Sequence, residues 1–266
     1  MEIPLDILKL VTTYLVKPRM KLLDWIPIDK LDWYFLSNNP NAIHLLEANF
    51  DKISWYELSQ NPNAIHLLEA DTDSIDWYWV WDKISANPNA IHLLEANLDK
   101  IYWNCISGNP NAIHLLEANP DKIGWNYLST NPNALNLLEA NLDKIDWKYL
   151  SSNPNAIHLL EANPNKIDWV FLSENPHALN LLEANPNKIN WDQLSRNPNA
   201  IHLMEQNPDK INWMYLSENP NAIHLLEANQ DKIDWSSLSS NPNIFELDKK
   251  YITEKANIID IILYKN

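Results

Sequence analysis

Apolar and polar positions along this chain recur with a period of 22 residues. The unit from Asn153 to Glu174 shows the pattern. Ala156, Ile157, Leu159, Leu160 and Ala162 fall on one broad apolar face at the helical angle of about 100° per residue. Asn153 followed by Pro154 reads as an N-cap and a first helical position. The Asn side chain accepts a free backbone N–H there, and Pro lacks the N–H that would be orphaned. Asn163 stands where a residue tolerant of the left-handed conformation closes a helix. The spacing predicts a first helix of about nine residues. A second start signal follows at Asp168-Trp169, with Leu172 one turn on. It predicts a second helix of about one and a half turns, ending at the next Asn-Pro. Neither helix would persist alone, since isolated helices below about 12–15 residues are marginal in water.

The Asn-Pro signal recurs at Asn39, Asn61, Asn87, Asn109, Asn131, Asn153, Asn175, Asn197, Asn219 and Asn241. A Trp keeps the same beat at Trp33, Trp55, Trp81, Trp103, Trp125, Trp147, Trp169, Trp191, Trp213 and Trp235. A fixed period of this length means that one supersecondary unit is stacked on the next. The Leu-x-Leu alternation of a leucine-rich repeat does not recur. The expected architecture is all-α: an α-solenoid of about ten two-helix repeats with divergent N- and C-terminal caps. The boundaries place an N-terminal cap at 1–28, the tandem repeats at 29–243 and a C-terminal capping helix at 244–266. Within the first cap a helix is expected over Leu5–Leu15, and Lys17, Arg19, Lys21 and Lys30 read as a solvated basic face. Stacked straight at about 8–10 Å per hairpin, the array would span roughly 80–100 Å.

One interval is longer, 26 residues between Asn61 and Asn87. It aligns best with Trp81 as the repeat Trp and one extra turn at the start of that second helix, making Trp77 and Trp81 neighbours one turn apart. Trp79 then points away from both. Its bland reading is local packing around an insertion; its functional reading is an aromatic protrusion that contacts a partner.

The formal net charge of −15 disfavours nucleic acid, because an acidic surface repels phosphate. A single cysteine, Cys105, allows no internal disulfide and fits a reducing cytoplasm. No signal peptide is recognisable and no apolar run approaches the roughly 18–20 residues of a membrane span, so no membrane partner is expected.

His44, His66, His92, His114, His158, His202 and His224 share one repeat position, beside a Glu three residues on. A metal ladder is a poor reading. Helices about 8–10 Å apart cannot converge on one ion whose ligands lie about 2 Å away, so a hydrogen-bonded or solvated stripe is expected. The Ser before nearly every Asn-Pro recurs too often for a nucleophile and is expected to bond to nearby backbone. There is no phosphate-binding Gly-rich loop, no Cys-x-x-Cys, no nucleophile elbow and no unique carboxylate pair. No catalytic residue, metal or cofactor is expected. What varies is the pair after each Trp. Tyr127, Tyr149, Phe171 and Tyr215 at this place read either as an aromatic contact stripe or as half-buried core. The function expected is a non-enzymatic protein-binding scaffold, with Trp79, Tyr127, Tyr149, Phe171 and Tyr215 as candidate contacts.

Two resemblances add to this reading. The Asn-Pro-Asn-Ala-Ile-His-Leu-Leu-Glu-Ala-Asn and Asp-Lys-Ile-Asp-Trp units, over about residues 30–245, resemble tandem-repeat proteins of giant, mimivirus-like DNA viruses. That resemblance implies a viral protein in a host cytoplasm; its protein partners are unidentified and include host proteins as candidates, and a purely structural or virion protein is the alternative function. The segment Ile3-Pro4-Leu5-Asp6-Ile7-Leu8-Lys9-Leu10-Val11 is similar to the opening helix of an F-box. It implies docking of Ile3, Pro4, Ile7, Leu8 and Val11 on the linker subunit of a cullin-type ubiquitin ligase. The later F-box helices and their Cys-Lys-x-Trp ending are absent from this sequence, so the same segment also reads as a plain cap helix.

Overall fold

A computed structural model describes residues 19–70 and 75–255. The predicted helix over Leu5–Leu15 lies outside them. Among the described residues each full repeat is a helical hairpin, as the 22-residue pattern requires. The first helices are Ile43–Glu47, Ile65–Ala70, Ile91–Ala96, Ile113–Glu117, Leu135–Glu139, Ile157–Ala162, Leu179–Glu183, Ile201–Gln206 and Ile223–Ala228. The second helices are Trp33–Ser37, Trp55–Leu58, Trp77–Ala86, Trp103–Ser107, Trp125–Thr130, Trp147–Leu150, Trp169–Glu174, Trp191–Leu194, Trp213–Glu218 and Trp235–Ser240.

The first helices are shorter than the expected nine residues. Ile157–Ala162, for example, begins after Ala156, whose side chain makes no cap. The Asn-Pro ahead of it has another task. Asn153 Oδ1 accepts from Asn155 N at 3.0 Å, a local turn. Its Nδ2 donates to the carbonyls of Ser129 at 3.0 Å and Asn131 at 2.9 Å, both in the preceding repeat. Asn155 Nδ2 adds a bond to Pro132 O at 2.9 Å. The recurring Ser completes the set: Ser151 Oγ donates to Trp147 O and accepts from Asp168 N in the next repeat. Asn153 and Ser151 are fully buried, Asn155 is exposed, and no buried side-chain polar atom lacks a partner among the described residues. Each buried amide satisfies carbonyls that water cannot reach, so the ladder holds both stacking and register. Asn163 does not take the left-handed conformation; its Nδ2 caps Leu159 O at 2.9 Å, and no described residue has positive φ.

Between the two helical layers lies one apolar core. Leu160 and Leu172 are fully buried with their counterparts in other repeats, and Ala156 packs where the turn leaves no room for more. The repeat tryptophans are half-buried at the margin of this core rather than inside it.

The array does not run straight: it closes on itself. Asn39 Nδ2 in the first repeat donates to Ser239 O at 3.0 Å and Asn241 O at 2.8 Å in the last. Asn41 Nδ2 reaches Pro242 O at 2.9 Å, and Asp32 N donates to Ser239 Oγ at 2.8 Å. Helix Trp33–Ser37 packs on helix Trp235–Ser240 as successive second helices do elsewhere. Ten units therefore complete a circle, turning roughly 36° per repeat. Second helices pack directly side by side along most of the array, whereas first helices are bridged by long side chains. The more closely spaced layer of a closed ring must be the inner one. The second helices thus line a central bore and the first helices face outward. At about 8–10 Å between neighbouring axes and a helix half-width of about 5–6 Å, ten inner helices leave a bore roughly 15–20 Å wide.

The tenth unit is built from both ends of the chain. Its inner helix is Trp235–Ser240, but a strand β2, Phe245–Leu247, replaces the outer helix. It pairs antiparallel with β1, Met20–Leu22, in the register Met20↔Leu247 and Leu22↔Phe245. Phe245 turns into the core, while Glu246 and Leu247 are exposed. The sequence expectation of a helix beginning at 244 is corrected here; residues 249–255 are helical only after the strand. Of the basic residues near the N-terminus, Lys17 lies outside the described residues; Arg19 and Lys30 are exposed and Lys21 is half-buried, but each of the three has a partner across the seam. Lys21 pairs with Glu246 at 3.0 Å and Asp24 at 3.2 Å, Arg19 lies 3.9 Å from Asp248, and Lys30 sits over Trp235 at 4.5 Å. They form the clasp of the ring.

Candidate protein-binding surface

Eight of the ten repeat tryptophans carry a Lys ammonium from the next repeat over the ring, at 4.2–4.7 Å from its centre. The Lys precedes its own repeat Trp by three residues, as Lys166 precedes Trp169, which sets it on the preceding Trp147. Two tryptophans depart from this rule, Trp55 and Trp81, and they are consecutive. Phe50 packs edge-on to Trp55 at 5.1 Å. Trp77 lies 5.7 Å from Trp81, with the rings tilted by 42°.

Two causes act: Ser74 stands in the sequence where the Lys for Trp55 would be, and helix Trp77–Ala86 has an extra turn before Trp81. Ser85 Oγ bonds to Trp81 O, the relation every repeat Ser has to its Trp, so Trp81 holds the repeat position as the spacing predicted. Trp77 and Tyr78 extend beyond it, with Asp76 capping Tyr78 N at 3.2 Å. Lys100, the register counterpart of the stacking lysines, is instead 3.1 Å from Asp99. A cleft of about 690 Å³ opens between Trp77, Tyr78 and Trp81 on one side and Tyr102 and Trp103 on the other. Its volume falls in the usual range for a ligand or anchor-residue site. A shallower cleft of about 460 Å³ adjoins it, lined by Tyr56, Tyr78, Trp79, Asp82 and Tyr102. Burial and the Asp82 carboxylate, which accepts from Tyr56 Oη at 3.0 Å, push that phenol up to about 12.

Trp79 is 65% exposed and Tyr78 72%, stacked edge to face at 5.0 Å. The exposure expected for Trp79 is present. Sequence reasoning passed over Tyr102, and a signal for it existed. Eight inner helices are capped by the Asp, Ser or Asn before the first Trp. Tyr102 occupies that place without capping and is 48% exposed. The next repeat is uncapped for another reason: a side chain at Gly124 would meet Asn104 Oδ1 at 2.5 Å.

The other candidates sit on the bore. Tyr127 is 45% exposed, while Tyr149, Phe171 and Tyr215 are half-buried. Tyr149 and Phe171 meet edge to face at 5.4 Å, with Lys148 at 5.0 Å from Phe171. Tyr215 is separated from them by Gln193 and lies under the Arg196 guanidinium at 3.7 Å, which Glu218 holds at 2.9 Å. Trp79 is not part of this stripe. Ile3, Pro4, Ile7, Leu8 and Val11 lie outside the described residues.

On the outer layer each His–Glu pair joins neighbouring repeats: His158 Nε2 to Glu139 Oε1 at 2.9 Å, His202 to Glu183 at 3.0 Å. Among the described residues His44 bonds to its own repeat's Glu47, at 3.1 Å, and strand β2 stands in place of the outer helix behind it. Among the described residues no three His, Cys, Asp or Glu side chains are grouped to hold a metal, and no helix is long and apolar enough to cross a membrane.

Fold and surface together define an all-α tandem-repeat scaffold closed into a ring, with one aromatic interruption. In comparison with known proteins, the chain matches no family model, no curated protein and no solved structure.

Proposed function

We propose that the ring is a scaffold for binding other proteins, and that its main contact is the aromatic cleft on repeats three and four. The observation that carries this reading is Tyr102. An Asp at this place would cap the inner helix, as eight other repeats do, and be worth about 1 kcal/mol. The chain forgoes that cap for an exposed ring beside Tyr78 and Trp79. Large aromatic side chains gathered around a cleft are the anchors from which binding hot spots are made. Tyr127, Tyr149, Phe171 and Tyr215 line the bore as a second surface. The giant-virus resemblance makes the partner a host protein in the cytoplasm.

The test compares proteins retained from host lysate by the wild type, Tyr102→Asp and Trp79→Ser, alongside thermal melting. Tyr102→Asp should melt higher than wild type yet lose the partner that wild type retains, and Trp79→Ser should lose the same partner with an unchanged melt. Retention of the same proteins by all three would refute the cleft as the contact.

A second reading, the F-box-like adaptor, gains support from the seam. The face of the first repeat that a cap helix would cover is occupied by the tenth repeat through Asn39, Asn41 and Asp32. A cap at residues 1–18 is not required there, which favours the ligase-docking role of Ile3, Pro4, Ile7, Leu8 and Val11. Ile3→Asp with Pro4→Ala should leave the melting temperature unchanged and abolish co-purification of the ligase linker subunit. Equal recovery of that subunit with both chains, or none with wild type, would remove this reading.

A further inference from the structure

We propose that the cleft on repeats three and four takes a lysine side chain of the partner protein, its ammonium stacked on Trp81 and walled by Tyr78, Tyr102 and Trp103. This rests on the reading of the cleft as a protein contact and names the chemistry it selects. The first ground is the ring's own precedent. Over eight of the ten repeat tryptophans a Lys ammonium lies at 4.2–4.7 Å, including across the seam at Trp235. An indole face in this setting attracts cations through its quadrupole, and Trp does so best among the aromatics. Among the described residues no cation stands over Trp81, and the lysine in register for that task, Lys100, is ion-paired with Asp99. Trp55 also lacks its lysine, and each of the two rings has one aromatic neighbour, Phe50 on Trp55 and Trp77 on Trp81; of the two, it is Trp81 that lines the cleft.

The second ground is shape. The cleft beside Trp81 is walled by aromatic faces and is about 690 Å³, more than one lysine fills, so residues flanking it also find room. A lysine stem lies along apolar walls while its head meets the ring. The third is charge. The chain carries −15, and Asp99 and Asp82 each line one of the two clefts, so a cationic segment is drawn in and an anionic one repelled. Lys100 is the opposing charge at the mouth, and that makes it the discriminating residue.

The probes are three nine-residue Gly/Ser peptides with Lys, norleucine or Glu at the centre. Each is titrated into the full chain while the indole N–H signals are followed by NMR, with Trp81 and Trp103 assigned by Phe substitution. The Lys peptide should shift these two signals and bind at least tenfold more tightly than the norleucine peptide, with affinity falling as salt rises. Lys100→Gln should tighten the Lys peptide about threefold, by removing the like charge and freeing Asp99. Lys100→Gln that weakens it, or equal binding of the norleucine peptide, would overturn the cationic guest while leaving the cleft as an apolar contact. If no peptide shifts either signal, the lysine site is refuted. The lysate comparison with Tyr102→Asp then decides separately whether the cleft is a contact at all.

Discussion

The seam between the tenth and first repeats and the stretch from the second to the fourth are the two places where this ring is not simply periodic. They differ in opposite ways. At the seam the covalent chain is broken and a strand replaces one outer helix, yet the inner interface is kept: the Asn ladder, the Ser–backbone bond and the Lys–Trp stack recur with the spacing of the interior. Around Trp77–Trp81 the chain is continuous and the Asn ladder runs on, yet two Lys–Trp stacks and one helix cap are missing. Closure needs the common interface and preserves it at the cost of a discontinuous repeat. The aromatic cleft serves no closure, which is why it is read as the working surface.

The comparison breaks most sharply at the ladder. Asn39→Ala at the seam and Asn153→Ala in the interior each remove three bonds of a buried side-chain amide, two donated to carbonyls of the neighbouring repeat and one accepted from a backbone N–H. Each should cost about 3 kcal/mol, with roughly 1–3 kcal/mol from each unsatisfied group. Chemical denaturation should give equal losses; a seam variant much milder than the interior one would mean that the ring stands open. Tyr102→Asp should act in the other direction, raising stability by about 1 kcal/mol by restoring a cap. A loss on denaturation would show that Tyr102 is structural. Smaller still, Lys30→Met and Lys166→Met should cost about 0.5–1 kcal/mol each, the value of an exposed cation on an indole, and should match. The least effect belongs to the outer His–Glu belt. Burial raises the Glu47 carboxyl, but the hydrogen bonds from His66 and His44 outweigh it and leave the group below its ordinary value. A depressed carboxyl stabilises the fold above its unfolded pKa and loses that contribution as pH falls through the folded one. The stability gap between wild type and Glu47→Gln should therefore be below about 1 kcal/mol at neutral pH. It should shrink further in acid below the ordinary carboxylate range. A gap that widens in acid would reverse the assigned sign.

The hairpins, their order and the role of the recurring Ser were legible because each follows from a local pattern repeated many times. The length of the outer helices was not. Asn-Pro has the same letters whether the Asn caps its own helix or crosses to the preceding repeat, and only the packing decides. Closure was hidden for a related reason, since a straight stack and a ring use the same interface and differ by a small turn per unit. Two signs of it stood in the sequence: Lys30 and Trp235 are left unmatched at opposite ends, and neither end replaces its Asn and Ser with cap residues. Phe245-Glu-Leu247 reads as poorly as a helix as it does well as a strand, but its partner Met20–Leu22 lies more than 200 residues away. For the cleft, Trp79 announced itself by crowding of aromatics, whereas Tyr102 was visible only as a missing cap.

The central claim is that the first and last repeats are neighbours. Spin labels at Asp29→Cys and Asp231→Cys, in a Cys105→Ser background, mark equivalent exposed positions on either side of the seam. A control pair at Asp209→Cys and Asp231→Cys marks two adjacent interior repeats. The closed ring predicts the same interspin distance for both pairs. A seam pair at roughly 80 Å, the length of the open stack at about 8–10 Å per repeat, would contradict it.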